Sequence, residues 1–209
     1  MADFYNRDAM RVLAGGYLVG DHEALVDPQL ISIARTRRRQ HSQMIVALDK
    51  SMVSKRLPKA SFYISRKVDG EYTLLIYRDG EAVTLNPGGT LRANAPFMAE
   101  AAAALKKAGV KSAILGGELY VQRPDGKRPR VHDVVRVARA PADAGEVAQL
   151  AMGFFNIYDL DGADLSMRSA DVVSKLEGLF AGCKKAHAIE TVVGEDAKVI
   201  IKHYEKWVE

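Results

Sequence analysis

At 209 residues, 48% hydrophobic and 27% charged, the chain is long enough for one good core and too apolar for intrinsic disorder. A net charge of +4 and a pI near 9.1 admit a polyanionic partner without demanding one. The single cysteine, Cys183, excludes an internal disulfide and a cysteine-built zinc site and suits a reducing compartment, while the histidines at 22, 41, 132, 187 and 203 lack close ligand spacing, so no metal-ligating residue is assigned. No apolar run approaches a membrane span, and a soluble, intracellular protein is expected, cytoplasmic or, in a bacterium, at the nucleoid.

In chain order, residues 1–54 read as a helical extension. Asp8 to Leu13 precedes the Gly15-Gly16 break, Pro28 opens an amphipathic stretch through Ile31 and Ile33, and Met44 to Leu48 offers a third element. The second stretch carries Arg35, Arg37, Arg38 and Arg39, which suit either a solvated helix face or sequence-blind contact with a phosphate backbone. From residue 55 the pattern turns to strands. Phe62 to Ile64 is one, Tyr72 to Tyr77 and Ala82 to Leu85 form a hairpin about Asp79-Gly80, and Asn86-Pro87-Gly88-Gly89 closes it. Pro96 to Lys107 is a helix stopped by Gly109, Ser112 to Gln122 a strand, Val131 to Ala140 a short helix. Leu150 to Leu160 is a strand ending in the Asp161-Gly162 turn, Ala170 to Phe180 a helix, Ile189 to Val193 a strand, and Glu195 to Val208 a helix. The fold class is therefore α+β with a mostly antiparallel sheet.

Lys67-Val68-Asp69-Gly70 sits between two of these strands. A lysine there is either the solvated end of a hairpin or a nucleophile whose amine is freed by a neighbouring cation, burial or a metal; Asp69 can orient it, and Gly70 permits a tight turn. Glu118 is an acid in an apolar strand, which faces water at an edge or points inward to accept a ligand hydroxyl. Phe154 and Phe155 in the next long strand suit core packing, or for one of them a stack on a planar ligand.

The order and spacing of Lys67-Val68-Asp69-Gly70, Leu115-Gly116-Gly117-Glu118-Leu119 and Phe155-Asn156-Ile157-Tyr158-Asp159-Leu160-Asp161-Gly162, with Arg168 and the helix after it, resemble the nucleotidyltransferase domain of the ATP-dependent DNA ligases, a superfamily shared with RNA ligases and mRNA capping enzymes. The resemblance covers about residues 55–209 and implies an ATP-grasp-like, ligase-type adenylation domain behind the N-terminal helical segment. By that likeness Lys67 forms the phosphoramidate with AMP, Asp69 helps order it, Gly70 shapes the loop, Glu118 binds the ribose and Phe155 stacks on adenine, while Phe154 faces the core. ATP and Mg2+ are the implied cofactors and nicked double-stranded DNA the implied partner of a monomer, with Arg35, Arg37, Arg38 and Arg39 as contacts to nucleic acid. An RNA ligase, a capping-type transferase and a nucleic-acid-binding module with a vestigial site are the alternatives.

The chain also departs from the family. Gly116 replaces an acid, Tyr72 stands where an arginine is usual, the place of a second family arginine falls near Pro87, where this chain has none, and Ser65 takes the place of a base-reading glutamate. Arg78 or Arg92 is the expected replacement for the missing cations. The family continues past the last helix with a metal-holding Glu-Gly strand, a lysine strand and an OB-fold domain, so the stretch ending at Glu209 is expected to be part of a longer protein and to be catalytically incompetent by itself.

Overall fold

The computed structural model describes residues 4–43, 45–57, 60–163 and 169–208. In chain order its strands and helices are β1 (Arg11–Val12), β2 (Leu18–Asp21), α1 (Gln29–Gln43), α2 (Lys50–Arg56), β3 (Phe62–Ser65), β4 (Glu71–Arg78), β5 (Glu81–Leu85), β6 (Thr90–Ala93), α3 (Pro96–Lys107), β7 (Ser112–Val121), α4 (Val131–Arg139), α5 (Ala144–Ala148), β8 (Leu150–Leu160), α6 (Ser169–Leu179), β9 (Ala186–Ala188), β10 (Thr191–Gly194) and α7 (Ala197–Val208). An eight-stranded sheet runs β1-β2-β6-β5-β4-β7-β8-β9, antiparallel except for the parallel β8–β9 edge, and β3 pairs with β10 in a separate antiparallel ribbon. The α+β class with a mostly antiparallel sheet is thus the observed one.

Alternation along the central strands divides their side chains between two cores. Leu75 and Tyr77 of β4, with Leu115 and Leu119 of β7, pack under Phe97, Ala101 and Leu105 of α3, Val134 and Val137 of α4 and Leu176 of α6. Tyr72, Leu74 and Ile76 face the other way, against Phe4, Tyr5, Leu25 and the Leu30, Ile31 and Ala34 stripe of α1. Each large side chain so buried contributes about 1.5–3 kcal/mol.

Local chemistry fixes the joints. Pro96 opens α3, Lys106 and Lys107 lie in its last turn, and Gly109 beyond it takes φ 76°. Asp161 Oδ1 accepts from the amides of Lys111 and Ser112 at 2.7 and 2.9 Å, tying the turn after β8 to the start of β7. Glu100 of α3 receives the amides of Lys184, Lys185 and Ala186, which sets β9 beside β8.

Two parts of the sequence reading need correction. The N-terminal segment is α-helical only in α1 and α2, with single 3-10 turns at Arg7–Ala9, Ala14–Gly16 and His22–Ala24; residues 11–12 and 18–21 are strands, and β2 pairs with β6 from Leu18↔Ala93 to Asp21↔Thr90. A stretch this short buries its apolar residues against a sheet edge and gains ladder hydrogen bonds, which override its helical periodicity. Met44 of the suggested third element lies outside the described residues, and residues 45–49 form no helix. Second, β6, α5 and β9 are additional elements, each five residues or fewer and too short for periodicity to register.

Candidate active site

Lys67 projects from the loop between β3 and β4, and its backbone is set by what runs under it. A Cβ on Gly70 would lie 2.2 Å from the Leu119 carbonyl oxygen and 2.9 Å from Glu118 Cγ, so only glycine lets the loop cross β7 this closely. The glycine thus seats the lysine loop directly on the strand that carries Glu118.

Glu118 lies on β7, between β4 and β8, so it is no edge residue; its direct cross-strand neighbours are Tyr72 and Gly153. Burial pushes its carboxyl up to about 7, against the opposing pull of Lys67, Arg38 and the Gly70 amide, with Asp69 pushing it further up. Phe154 and Phe155 are successive residues of β8, so strand alternation sends them to opposite faces of the sheet; the β7–β8 register shifts beside them, between Gly116 and Gly117. Phe154 is fully buried and stacks on Phe180 at 4.4 Å, whereas Phe155 is half-buried and turned to the opposite face.

Lys67, Glu118 and Phe155 line one cleft of about 630 Å3 together with Ser65, Arg38 and His41. The last two come from α1, far upstream in sequence: Arg38 belongs to the basic cluster read as a nucleic-acid contact, and no motif announced His41. The imidazole of His41 stacks on Phe155 at 5.2 Å and 26°, and burial, with Arg38 adding to it, lowers its pKa. The guanidinium of Arg38 lies 5.4 Å over Tyr72, and that of Arg37 lies 5.1 Å over Tyr158. The hydroxyls of Tyr72 and Tyr158 are joined at 3.0 Å. Tyr158 in turn depends on Gly116, where a Cβ would sit 2.6 Å from its ring.

The remaining sequence candidates fall elsewhere. Asp69 lines a smaller adjoining cavity with Arg66 and Lys67. Arg92 is 4% exposed and grips Glu71 with two hydrogen bonds of 2.6 and 3.1 Å; Arg78 sits at the far end of β4, 3.7 Å from Asp27 and over Phe4. Neither lines the cleft, because β4 and β6 carry them into contacts with the sheet and the N-terminal segment. Within the basic cluster Arg35 Nε donates to the Pro87 carbonyl at 3.2 Å and Arg39 is exposed, so only Arg37 and Arg38 turn to the aromatic face. Arg168 lies outside the described residues. Among the described residues no group of three His, Cys, Asp or Glu side chains converges as a metal cage, and no helix is long and apolar enough to cross a membrane.

This sheet, with its lysine loop, acid strand and aromatic strand around one cleft, has the fold of a ligase-type nucleotidyltransferase domain. Among solved structures it is similar to a mycobacterial DNA ligase D complexed with ATP and MES (TM-score 0.53, 20% identity, 75% of this chain and 48% of that one). It is also similar to the ligase domain of LigD from M. tuberculosis (0.51, 18%, 74% and 47%) and to Pmar-Lig_PreS3 (0.58, 12%, 85% and 44%). The chain spans about half the length of these structures or less, and at such identities the likeness is one of fold. No protein-family model and no curated protein sequence matches it.

Proposed function

We propose that the chain is the adenylation part of an ATP-dependent polynucleotide ligase acting on nicked duplex DNA. The observation that carries this reading is the convergence of Lys67, Glu118 and Phe155, from three separate segments, on one cleft. The lone pair of the Lys67 nitrogen attacks the α-phosphorus of ATP: a P–N bond forms, the bond from that phosphorus to the oxygen it shares with the β-phosphate breaks, pyrophosphate leaves, and the nitrogen gives up a proton to solvent. AMP then passes to a strand's 5′-phosphate, and the 3′-hydroxyl across the nick displaces it.

Glu118 accepts from the ribose hydroxyls, and Phe155 supplies a π-face for adenine. A magnesium ion carried on the phosphates would neutralise their charge, and Asp69, which lines the cavity beside Lys67, is the carboxylate that would help hold it. Arg37 and Arg38 supply cations on the cleft side of α1, and Arg35 and Arg39 extend the basic surface toward a nucleic-acid backbone. The working form is taken as a monomer inside the cell.

One observation supports a second reading. The hydroxyl of Ser65, at the position where the family reads adenine with a glutamate, is shared with Thr191 Oγ1 at 2.9 Å, so no carboxylate here selects the base. A capping-type transferase using GTP is the alternative.

The test is transfer of label from ATP or GTP carrying a radioactive α-phosphate, read on the denatured protein. A small labelled fraction with ATP is expected, located on Lys67 by peptide mapping and absent from Lys67→Arg, whose guanidinium stays protonated and cannot attack. Label persisting in Lys67→Arg would overturn the assignment, and preference for GTP would move it to the capping class.

A further inference from the structure

Lys67 borders two cavities. Beside the nucleoside cleft lies a second space of about 240 Å3, lined by Arg66, Lys67, Asp69, Tyr120, Arg128 and His187, with Glu190 on its rim. Two segments distant in sequence bring its guanidinium groups together. Arg66 follows β3, where its backbone amide is held by the Glu190 carbonyl at 3.0 Å, and Arg128 belongs to the connection between β7 and α4.

These cations are conspicuous for what they lack. Among the described residues, Arg66, Lys67 and Arg128 have no carboxylate within ion-pairing distance. Arg123, on the same connection as Arg128, is by contrast held by Asp125 at 2.9 Å and Asp133 at 3.2 Å. Glu190 does not neutralise the group, because its carboxylate accepts from Trp207 Nε1 at 3.2 Å and meets Lys206 at 3.7 Å. Of the two acids lining the cavity, that leaves Asp69 against three cations, with Glu118 reaching Lys67 from the neighbouring cleft. The floor is polar and ordered: His187 Nδ1 donates to the Ala188 carbonyl at 2.8 Å, leaving Nε2 to accept from the Tyr120 hydroxyl at 2.7 Å. Like charges gathered at a concave, half-buried surface repel one another until an anion joins them, and the planar fork of arginine matches the oxygens of a phosphoryl group.

We propose that this cavity is a phosphoryl-binding subsite, in which Arg66 and Arg128 grip a phosphate that does not itself react with Lys67 while the lysine stands between that phosphate and the nucleoside. The source of the group, the pyrophosphate end of the nucleotide or the terminal 5′-phosphate of a strand, is assigned only within the nucleotidyl-transfer reading; the subsite itself does not depend on it.

Calorimetric titration of the 209-residue chain with inorganic pyrophosphate, and with nicked duplexes bearing a 5′-phosphate or a 5′-hydroxyl, provides the test. Pyrophosphate or the 5′-phosphate duplex is expected to bind wild type about tenfold or more tightly than Arg66→Gln or Arg128→Gln. Arg128→Lys should recover part of the loss. Arg11→Gln, which removes the same charge on strand β1 at the other end of the sheet, should bind as wild type does, and circular dichroism checks that each variant is folded. An Arg128 dependence confined to pyrophosphate assigns the leaving group; a preference for 5′-phosphate over 5′-hydroxyl that vanishes in Arg128→Gln assigns the strand. Wild-type affinity for both ligands in the Arg66→Gln/Arg128→Gln double variant would overturn the subsite, as would the absence of binding to wild type. None of these readouts requires AMP transfer. Binding of pyrophosphate through Arg128 in Lys67→Arg, which cannot form the P–N bond, would uphold the subsite independently of the ligase reading.

Discussion

Glu118 carries a cost in stability alongside the role proposed for it. Its carboxyl rises from an ordinary 4.5 to about 7 because burial disfavours the anion more than Lys67, Arg38 and the Gly70 amide restore it. Between those two values the folded protein keeps a proton that the unfolded chain releases, so stability declines as pH rises through this window and is level above it, by a total on the order of 2–4 kcal/mol. The ribose recognition proposed for Glu118 would run the opposite way, since the anion is the better acceptor. Adenosine, which has no group titrating here, should therefore bind more weakly below pH 7, by up to about tenfold per unit, and Glu118→Gln should flatten both profiles. Urea melts and adenosine titrations across pH 5–8 check the two signs; parallel slopes for wild type and Glu118→Gln would remove Glu118 from the ribose site. Lys67, Glu118 and Phe155 were legible in the sequence because each stands in a short motif at fixed spacing. Arg92 was not: its engagement with Glu71 depends on a reach from β6 past β5 to β4, which no local pattern encodes.

At the scale of elements, α1 does two different things along its length. Leu30, Ile31 and Ala34 bury against the sheet, while Arg37, Arg38 and His41 lie over Tyr158, Tyr72 and Phe155. A nucleobase stacking on Phe155 from that side must displace the imidazole. An aromatic pair contributes about 0.5–1.5 kcal/mol, so His41→Ala should tighten adenosine binding by roughly 2–10-fold, whereas Phe155→Leu, which keeps apolar volume without a π-face, should weaken it. Fluorescence or calorimetric titration of both variants decides; looser binding by His41→Ala would make His41 a wall of the base site instead of its cover. The long elements, α3, β7, β8 and α7, were readable within a few residues because their periodicity extends over ten or more positions. What sequence could not supply was the juxtaposition: a basic run reads as a solvated face until the sheet presents three aromatic rings to it.

The whole molecule is two half-cores sharing a sheet. Residues ahead of position 55 provide Phe4, Tyr5, Leu18, Leu25, Leu30, Ile31 and Ala34 to one of them, as well as strands β1 and β2. Losing those contacts would forfeit roughly 10 kcal/mol or more, comparable to the entire stability of a typical domain. Differential scanning calorimetry should accordingly give one transition for residues 1–209 and none for a chain begun at residue 55; a separate cooperative transition for the shorter chain would show that the N-terminal segment is an appendage. The opposite end of the fold is more open. The β3–β10 ribbon presents Tyr63 and Val193, paired across the two strands and both exposed, beside the mouth of the cleft.

The packing of Tyr158 over Gly116 also constrains descent. A Cβ at position 116 would meet the ring at 2.6 Å, so an acid there and this tyrosine are compatible only if the ring shifts. Moving the ring would draw its hydroxyl away from Tyr72, which it meets at 3.0 Å. An acid at 116 is therefore accepted more easily once Tyr158 is smaller. The three positions form an epistatic set, and lineages carrying this sheet should exchange them as a block.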